Sequence, residues 1–191
     1  MAGRPFILGC RGPALSDGER AFFADADPHG FILFRRNCET PDQVAALVGD
    51  LLESVGRSDA PVLVDQEGGR VQRLGPPQWR AMPAAARFGE LAGTDPEAGR
   101  EAVALNARLL GDELAACGFT ADCAPVLDLS HPETHEIIGD RAFGADPALV
   151  ADLGRALCDG LAAAGVLPVI KHMPGHGRAS VDSHHELPRV S

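Results

Sequence analysis

The sequence predicts an α/β protein built on a parallel sheet. Short apolar runs alternate with longer stretches of helical periodicity, several times over. The apolar runs are continuous rather than alternating, as in strands buried on both faces. Polar clusters rich in Asp, Arg, Lys and His follow directly after the runs. Closed barrels and open doubly wound sheets both gather their sites on the edge where parallel strands end, so both architectures are open at this point.

Phe6 to Cys10 is the first apolar segment and reads as a strand. Ser16 caps a helix through Glu19, Phe22 and Phe23, with acidic residues in its first turn. Asp27-Pro28-His29-Gly30 is a turn signal, and Gly30 to Phe34 is the next strand, ended by Arg35, Arg36 and Asn37. Thr40 is an N-cap, Pro41 takes the first helical position and Gln43 completes a capping box. Val44, Leu47, Val48, Leu51 and Leu52 then recur at helical spacing.

Pro61 to Val64 is a third strand, followed at once by the polar stretch from Asp65 to Arg73. Pro76-Pro77 breaks the chain, and Pro83 to Leu91 reads as a short helix. The longest helical pattern runs from Thr94 to Cys117, with Thr94 as cap and Ala102, Leu105, Leu109 and Leu110 on its apolar face. Gly118 ends it. Phe119 to Leu129 contains a strand broken by Pro125, and a loop with His131, His135, Gly139, Asp140 and Arg141 follows. Asp146-Pro147 opens a helix through Leu149, Val150, Leu153 and Leu157, ending at Gly165. Val166 to Ile170 is the last apolar run and reads as a buried strand.

The 191 residues are enough for one domain with a real core, and the chain reads as a single domain over 1–191. A net charge of −10 argues against a nucleic-acid surface. The five cysteines are widely spaced with no C-x-x-C pair, which points away from disulfides and thiolate metal sites and towards a reducing cytosol. No run approaches the roughly 20 apolar residues of a membrane span, so no membrane partner is expected. Neither a dinucleotide fingerprint nor a phosphate-binding loop is present, and no cofactor is expected. Nothing in the sequence fixes an oligomeric state.

Two polar clusters carry candidate chemistry. Lys171, the sole lysine, stands with His172 at the end of the last strand, ahead of a loop bearing His176, Asp182, His184 and His185. The His172-x-x-x-His176 pair would converge on a metal only from a helix, which Pro174, Gly175 and Gly177 disfavour. No metal site is expected. Asp182 lies two residues from His184, and a carboxylate on one ring nitrogen leaves the other free to pass a proton. The plainer alternative is that Asp182 caps a turn and His184 is exposed. Asp65, with glycines and arginines behind it, suits recognition of a ring of hydroxyls, or decorates a helix start.

Five ordered stretches carry a resemblance to a known family: VDQEGGRVQR (Val64–Arg73), APVLDL (Ala124–Leu129), DRAFG (Asp140–Gly144), KHMPGHG (Lys171–Gly177) and DSH (Asp182–His184). Together with GFILFRRN (Gly30–Asn37) they resemble glycoside hydrolases of family three. They are most similar to the bacterial β-N-acetylglucosaminidases of peptidoglycan recycling. The resemblance implies a TIM-type (β/α)8 barrel, of which about five of eight strand-helix units are present. It implies exo-hydrolysis of terminal β-linked N-acetylglucosamine from muropeptides, with retention, in the cytoplasm. By matching positions, Asp65, Arg73, Arg141, Lys171 and His172 would grip the sugar. His184 would be the general acid/base and Asp182 its partner. The family's nucleophile is an aspartate on a later strand, and no aspartate of this chain matches its motif. Two alternatives remain open: a non-catalytic sugar-binding fragment, and a metal-dependent hydrolase using the histidine loop.

Overall fold

A computed structural model describes residues 3–190 of the chain. Strands β1 (Arg4–Leu8), β2 (Pro28–Leu33), β3 (Val62–Val64), β6 (Ala121–Asp122) and β7 (Leu167–Pro168) form one parallel sheet, in the order β1-β2-β3-β6-β7. These five lie where the five apolar runs fall. Phe31 pairs with Val62, Leu63 with Ala121, and Ala121 with Leu167. Helices α1 (Asp17–Ala26), α2 (Pro41–Ser54), α4 (Pro96–Ala116) and α5 (Pro147–Ala163) connect the strands. Parallel neighbours require such crossovers, since no tight turn can return the chain in the same direction.

The main core lies between the sheet and its helices. Phe31, Leu33, Val62 and Val64 from the strands meet Phe23 of α1, Leu47 and Leu51 of α2, and Leu114 of α4. Phe23 and Phe31 pack edge-on with ring centroids 5.2 Å apart, the arrangement their quadrupoles favour. A second core joins α3 (Ala85–Thr94), α4 and α5 through Ala92, Val103, Phe143, Val150 and Leu153. Where α4 crosses α5, small residues set the distance. A Cβ on Gly160 would come within 2.6 Å of Ala107 Cβ, and one on Gly111 within 2.6 Å of Ala164 Cβ.

Several local expectations hold. Ser16 and Glu19 form the full reciprocal capping box of α1. Thr40 accepts the Gln43 N–H at 3.3 Å, with Pro41 in the first turn. The return bond of that box is shifted, however: Gln43 Oε1 accepts from Glu39 N, one residue early, because its amide also reaches the carbonyls of Pro13 and Asn37.

Other expectations are corrected. Asp27 closes α1 in the left-handed region (φ 42°), and β2 starts at Pro28, so the expected four-residue turn shrinks to one residue. Thr94 ends α3, and the cap of α4 is Asp95, which accepts the Ala98 N–H at 3.0 Å. With two helices meeting head to tail, the carboxylate next to Pro96 is the better placed acceptor. The buried face of α4 is Val103, Ala107, Leu110 and Leu114, while Leu105 is 61% exposed and Leu109 is exposed as well. The packing against α5 selects small residues beside Leu110 and Leu114 and leaves Leu105 and Leu109 facing outward. The final apolar run is not buried beyond Val166. Leu167 is 64% exposed and Val169 and Ile170 are exposed, because β7 is an edge strand. The strand expected over Phe119–Leu129 shortens to β6, after which only a single bridge from Val126 to Lys171 continues the ladder.

Candidate active site

Directly after β3 the chain forms a small antiparallel hairpin, β4 (Gln66–Gly68) with β5 (Val71–Gln72). Gly68 at its turn has φ 95°, and a Cβ there would sit 2.3 Å from the Pro83 carbonyl oxygen. Only glycine fits both demands. The hairpin is fastened from within. Buried Gln66 accepts the N–H groups of Arg73 and Leu74 and donates to the Leu74 carbonyl. Asp65 and Glu67 lie two residues apart, so their side chains project from the same face.

Facing that pair stands Lys171, past the end of β7. Its Nζ lies 3.0 Å from Asp65 Oδ1 and also pairs with Glu67 Oε1. Arg73 holds the other Asp65 oxygen at 3.1 Å. Arg141 forms a bidentate pair with Glu67 at 2.8 and 2.9 Å, and its third nitrogen donates to the Ile137 carbonyl. Arg141 Nη2 lies 3.4 Å from His172 Nε2, whose Nδ1 is 2.5 Å from Asp128 Oδ2. The result is one row of alternating charge: Arg73, Asp65, Lys171, Glu67, Arg141, then His172 and Asp128. Burial pushes the Asp65 carboxyl up, but the Lys171 charge and hydrogen bonds from Lys171 and Arg73 outweigh it and hold it below 3.8.

The segment carrying Arg141 is itself clamped. Arg70 donates to the carbonyls of Glu136, Ile137 and Ile138 and pairs with Asp140 at 2.8 Å. The arrangement can bind a polyhydroxylated ring, since half-buried carboxylates accept and half-buried guanidinium and ammonium groups donate.

Residues 12–191 match the sequence profile described as the glycosyl hydrolase family 3 N-terminal domain. The chain belongs to glycosyl hydrolase family 3. Among relatives in that family, it is 41% identical over 186 residues to a β-hexosaminidase of Bordetella avium, covering 96% of this chain and 52% of that one. It is 43% identical over 177 residues to a β-hexosaminidase of Methylococcus capsulatus, covering 93% and 51%. It superimposes on native NagZ from Neisseria gonorrhoeae with a TM-score of 0.91 at 35% identity, covering 98% of this chain and 54% of that chain. The same Neisseria NagZ has been solved in complex with N-trifluoroacetyl-D-glucosamine, with a TM-score of 0.91 to this chain. The chain spans about half the length of the curated family 3 relatives it matches.

All five residues expected to grip a sugar, Asp65, Arg73, Arg141, Lys171 and His172, meet in this cluster. Asp182 and His184 form a separate pair in the loop that follows. His184 Nδ1 lies 2.7 Å from Asp182 Oδ1, which also accepts the His184 backbone N–H at 2.9 Å. That backbone hydrogen bond, and then the ring, hold the Asp182 carboxyl below 3.8. The His184 side chain is 76% exposed. The capped turn and the carboxylate–imidazole pair are therefore both present. The loop is anchored upstream of the pair. Gly177 approaches Leu129 so closely that a Cβ would meet its carbonyl oxygen at 2.2 Å, and His135 N donates to Ala179 O.

Two members of the cluster were not singled out from the sequence. Glu67, with a side chain 7% exposed, joins Lys171 to Arg141. Its signal was present: two carboxylates at i and i+2 directly after an apolar strand. Asp128 carries the other, as a lone charge in the apolar APVLDL run. Among the described residues, no group of three His, Cys, Asp or Glu side chains is placed to hold a metal ion.

Proposed function

We propose that the chain is the N-terminal part of a retaining exo-β-N-acetylglucosaminidase acting on muropeptides in cell-wall recycling. The observation that carries this reading is the row from Arg73 to His172, assembled at the C-terminal ends of parallel strands in a family 3 chain. Residues 1–191 are read as one domain, the first five strand-helix units of a (β/α)8 barrel. Asp65, Arg73, Arg141, Lys171 and His172 hold the sugar hydroxyls and the N-acetyl group, with Glu67 keeping the cations in place.

In this reading the His184 imidazolium protonates the glycosidic oxygen as the nucleophile attacks the anomeric carbon. The neutral ring then takes a proton from the water that hydrolyses the glycosyl intermediate. Asp182 orients the ring through Nδ1 and leaves Nε2 for the proton. The nucleophilic aspartate belongs to sequence beyond residue 191. The proposed setting is the cytosol, which accords with five free thiols. No helix among the described residues is long and apolar enough to cross a membrane.

The test is hydrolysis of a chromogenic N-acetylglucosaminide by the polypeptide extended through the remaining strands. Activity lost on His184→Ala and retained fold are expected; an inactive extended protein, or no effect of His184→Ala, overturns the assignment. For residues 1–191 alone, a non-catalytic sugar-binding role has its own support. The five residues assigned to the sugar already meet there, whereas His184 stands in solvent. Calorimetric titration with N-acetylglucosamine reads that role directly.

A further inference from the structure

The Asp128 side chain is 1% exposed and sits in an otherwise apolar run. Its two oxygens take different partners. Oδ2 lies 2.5 Å from His172 Nδ1, and Oδ1 accepts the His176 backbone N–H at 2.5 Å. Burial pushes this carboxyl up, but hydrogen bonds from the His172 ring and the His176 N–H outweigh it and keep it below 3.8. An ionised carboxylate can only accept, so the ring must donate through Nδ1. On the opposite side, Nε2 faces Arg141 Nη2 at 3.4 Å, and a guanidinium can only donate. Both neighbours demand the same tautomer, with the proton on Nδ1 and the lone pair on Nε2.

We infer that Asp128 is a positioning residue: it sets the Nδ1–H tautomer of His172 and, through the His176 N–H, ties the loop after Lys171 to the sugar-gripping cluster. This rests on reading His172 as a sugar ligand, and adds what His172 must be: a hydrogen-bond acceptor at Nε2. Such a group takes the proton of a sugar hydroxyl, and an Nε2–H would instead confront the Arg141 guanidinium.

Asp128→Asn separates this from simple packing. The His176 N–H is a fixed donor, so the amide oxygen must face it. The amide NH₂ then faces His172 Nδ1, which can only accept. The variant keeps the shape of the site and inverts the tautomer.

The experiment is histidine-selective ¹⁵N NMR on the full-length protein, with a parallel titration of N-acetylglucosamine. In the wild type, His172 Nδ1 is expected to be protonated and Nε2 bare. In Asp128→Asn the assignment reverses, and sugar affinity falls about ten- to a hundredfold, the scale of a hydrogen bond to a charged partner. A wild-type His172 protonated at Nε2 overturns the inference, and this measurement stands even where the variant does not fold. An unchanged tautomer in Asp128→Asn, or a reversed tautomer with undiminished affinity, overturns it too. Reversal in a protein whose wild type binds no sugar supports the tautomer assignment and overturns the sugar reading instead.

Discussion

Glu67 shows what a single residue does in this cluster. Its carboxylate is nearly buried and shared between Lys171 and Arg141. Glu67→Gln removes the charge shared by Lys171 and Arg141, so that Arg141 loses its bidentate carboxylate while Lys171 keeps only Asp65. Breaking one partner out of a buried pair costs about 3–5 kcal/mol. We predict a loss of that order in chemical denaturation, together with loss of detectable N-acetylglucosamine binding. Asp122 behaves in the opposite sense. It is fully buried; Oδ1 accepts the Gln66 N–H, while Oδ2 has no partner. Burial raises its carboxyl well above 3.8, so the folded state keeps a proton that the unfolded chain releases. Stability therefore falls as pH rises from 3.8 towards the folded value. Asp122→Asn removes that slope. At pH 7 it is expected to be neutral or more stable by about 1 kcal/mol, an advantage that vanishes near pH 4. Thermal melts of both proteins across that range check the sign.

At the scale of elements, local signals were legible and long-range ones were not. Ser16 with Glu19, and Thr40 with Pro41, announce their helices because capping is decided within four residues. The pairing of Lys171 with Asp65 spans 106 positions, and nothing local to either residue states it. The positions of the strands along the chain followed from apolar runs, but the face of α4 did not. Periodicity marked Leu105 and Leu109 as core, whereas the close approach of α5 buries Ala107 and Gly111 instead. The same geometry gives a contrast between three substitutions. Leu105→Gln should shift stability by no more than about 0.5 kcal/mol. Leu110→Ala, on the buried side, should cost about 2–5 kcal/mol. Gly160→Val drives a side chain into Ala107 and the Ala104 carbonyl oxygen and should cost about 1–3 kcal/mol. Urea denaturation of the three variants ranks them, and a costly Leu105→Gln would return the leucine face to the core.

At the scale of the whole molecule, the sheet is open. β1 and β7 each have one neighbour among the described residues, and both carry apolar side chains outward. Phe6 and Ile7 line one edge, and Leu167, Val169 and Ile170 lie at the other. Unpaired edges with apolar residues are templates for pairing with another chain. Both edges belong to the parallel sheet and have no strand neighbour on their outer side among the described residues. Residues 1–191 expressed alone should therefore associate in a concentration-dependent way in sedimentation velocity. Ile7→Lys with Leu167→Lys should reduce that association, because a charge on an edge strand opposes pairing without disturbing the buried face. In the proposed reading, where the chain is part of a longer barrel, a polypeptide extended through further strands should sediment without it. If residues 1–191 remain monomeric at high concentration, the exposed edges are protected by a means other than pairing. If the extended polypeptide associates equally, the edges are not what drives it.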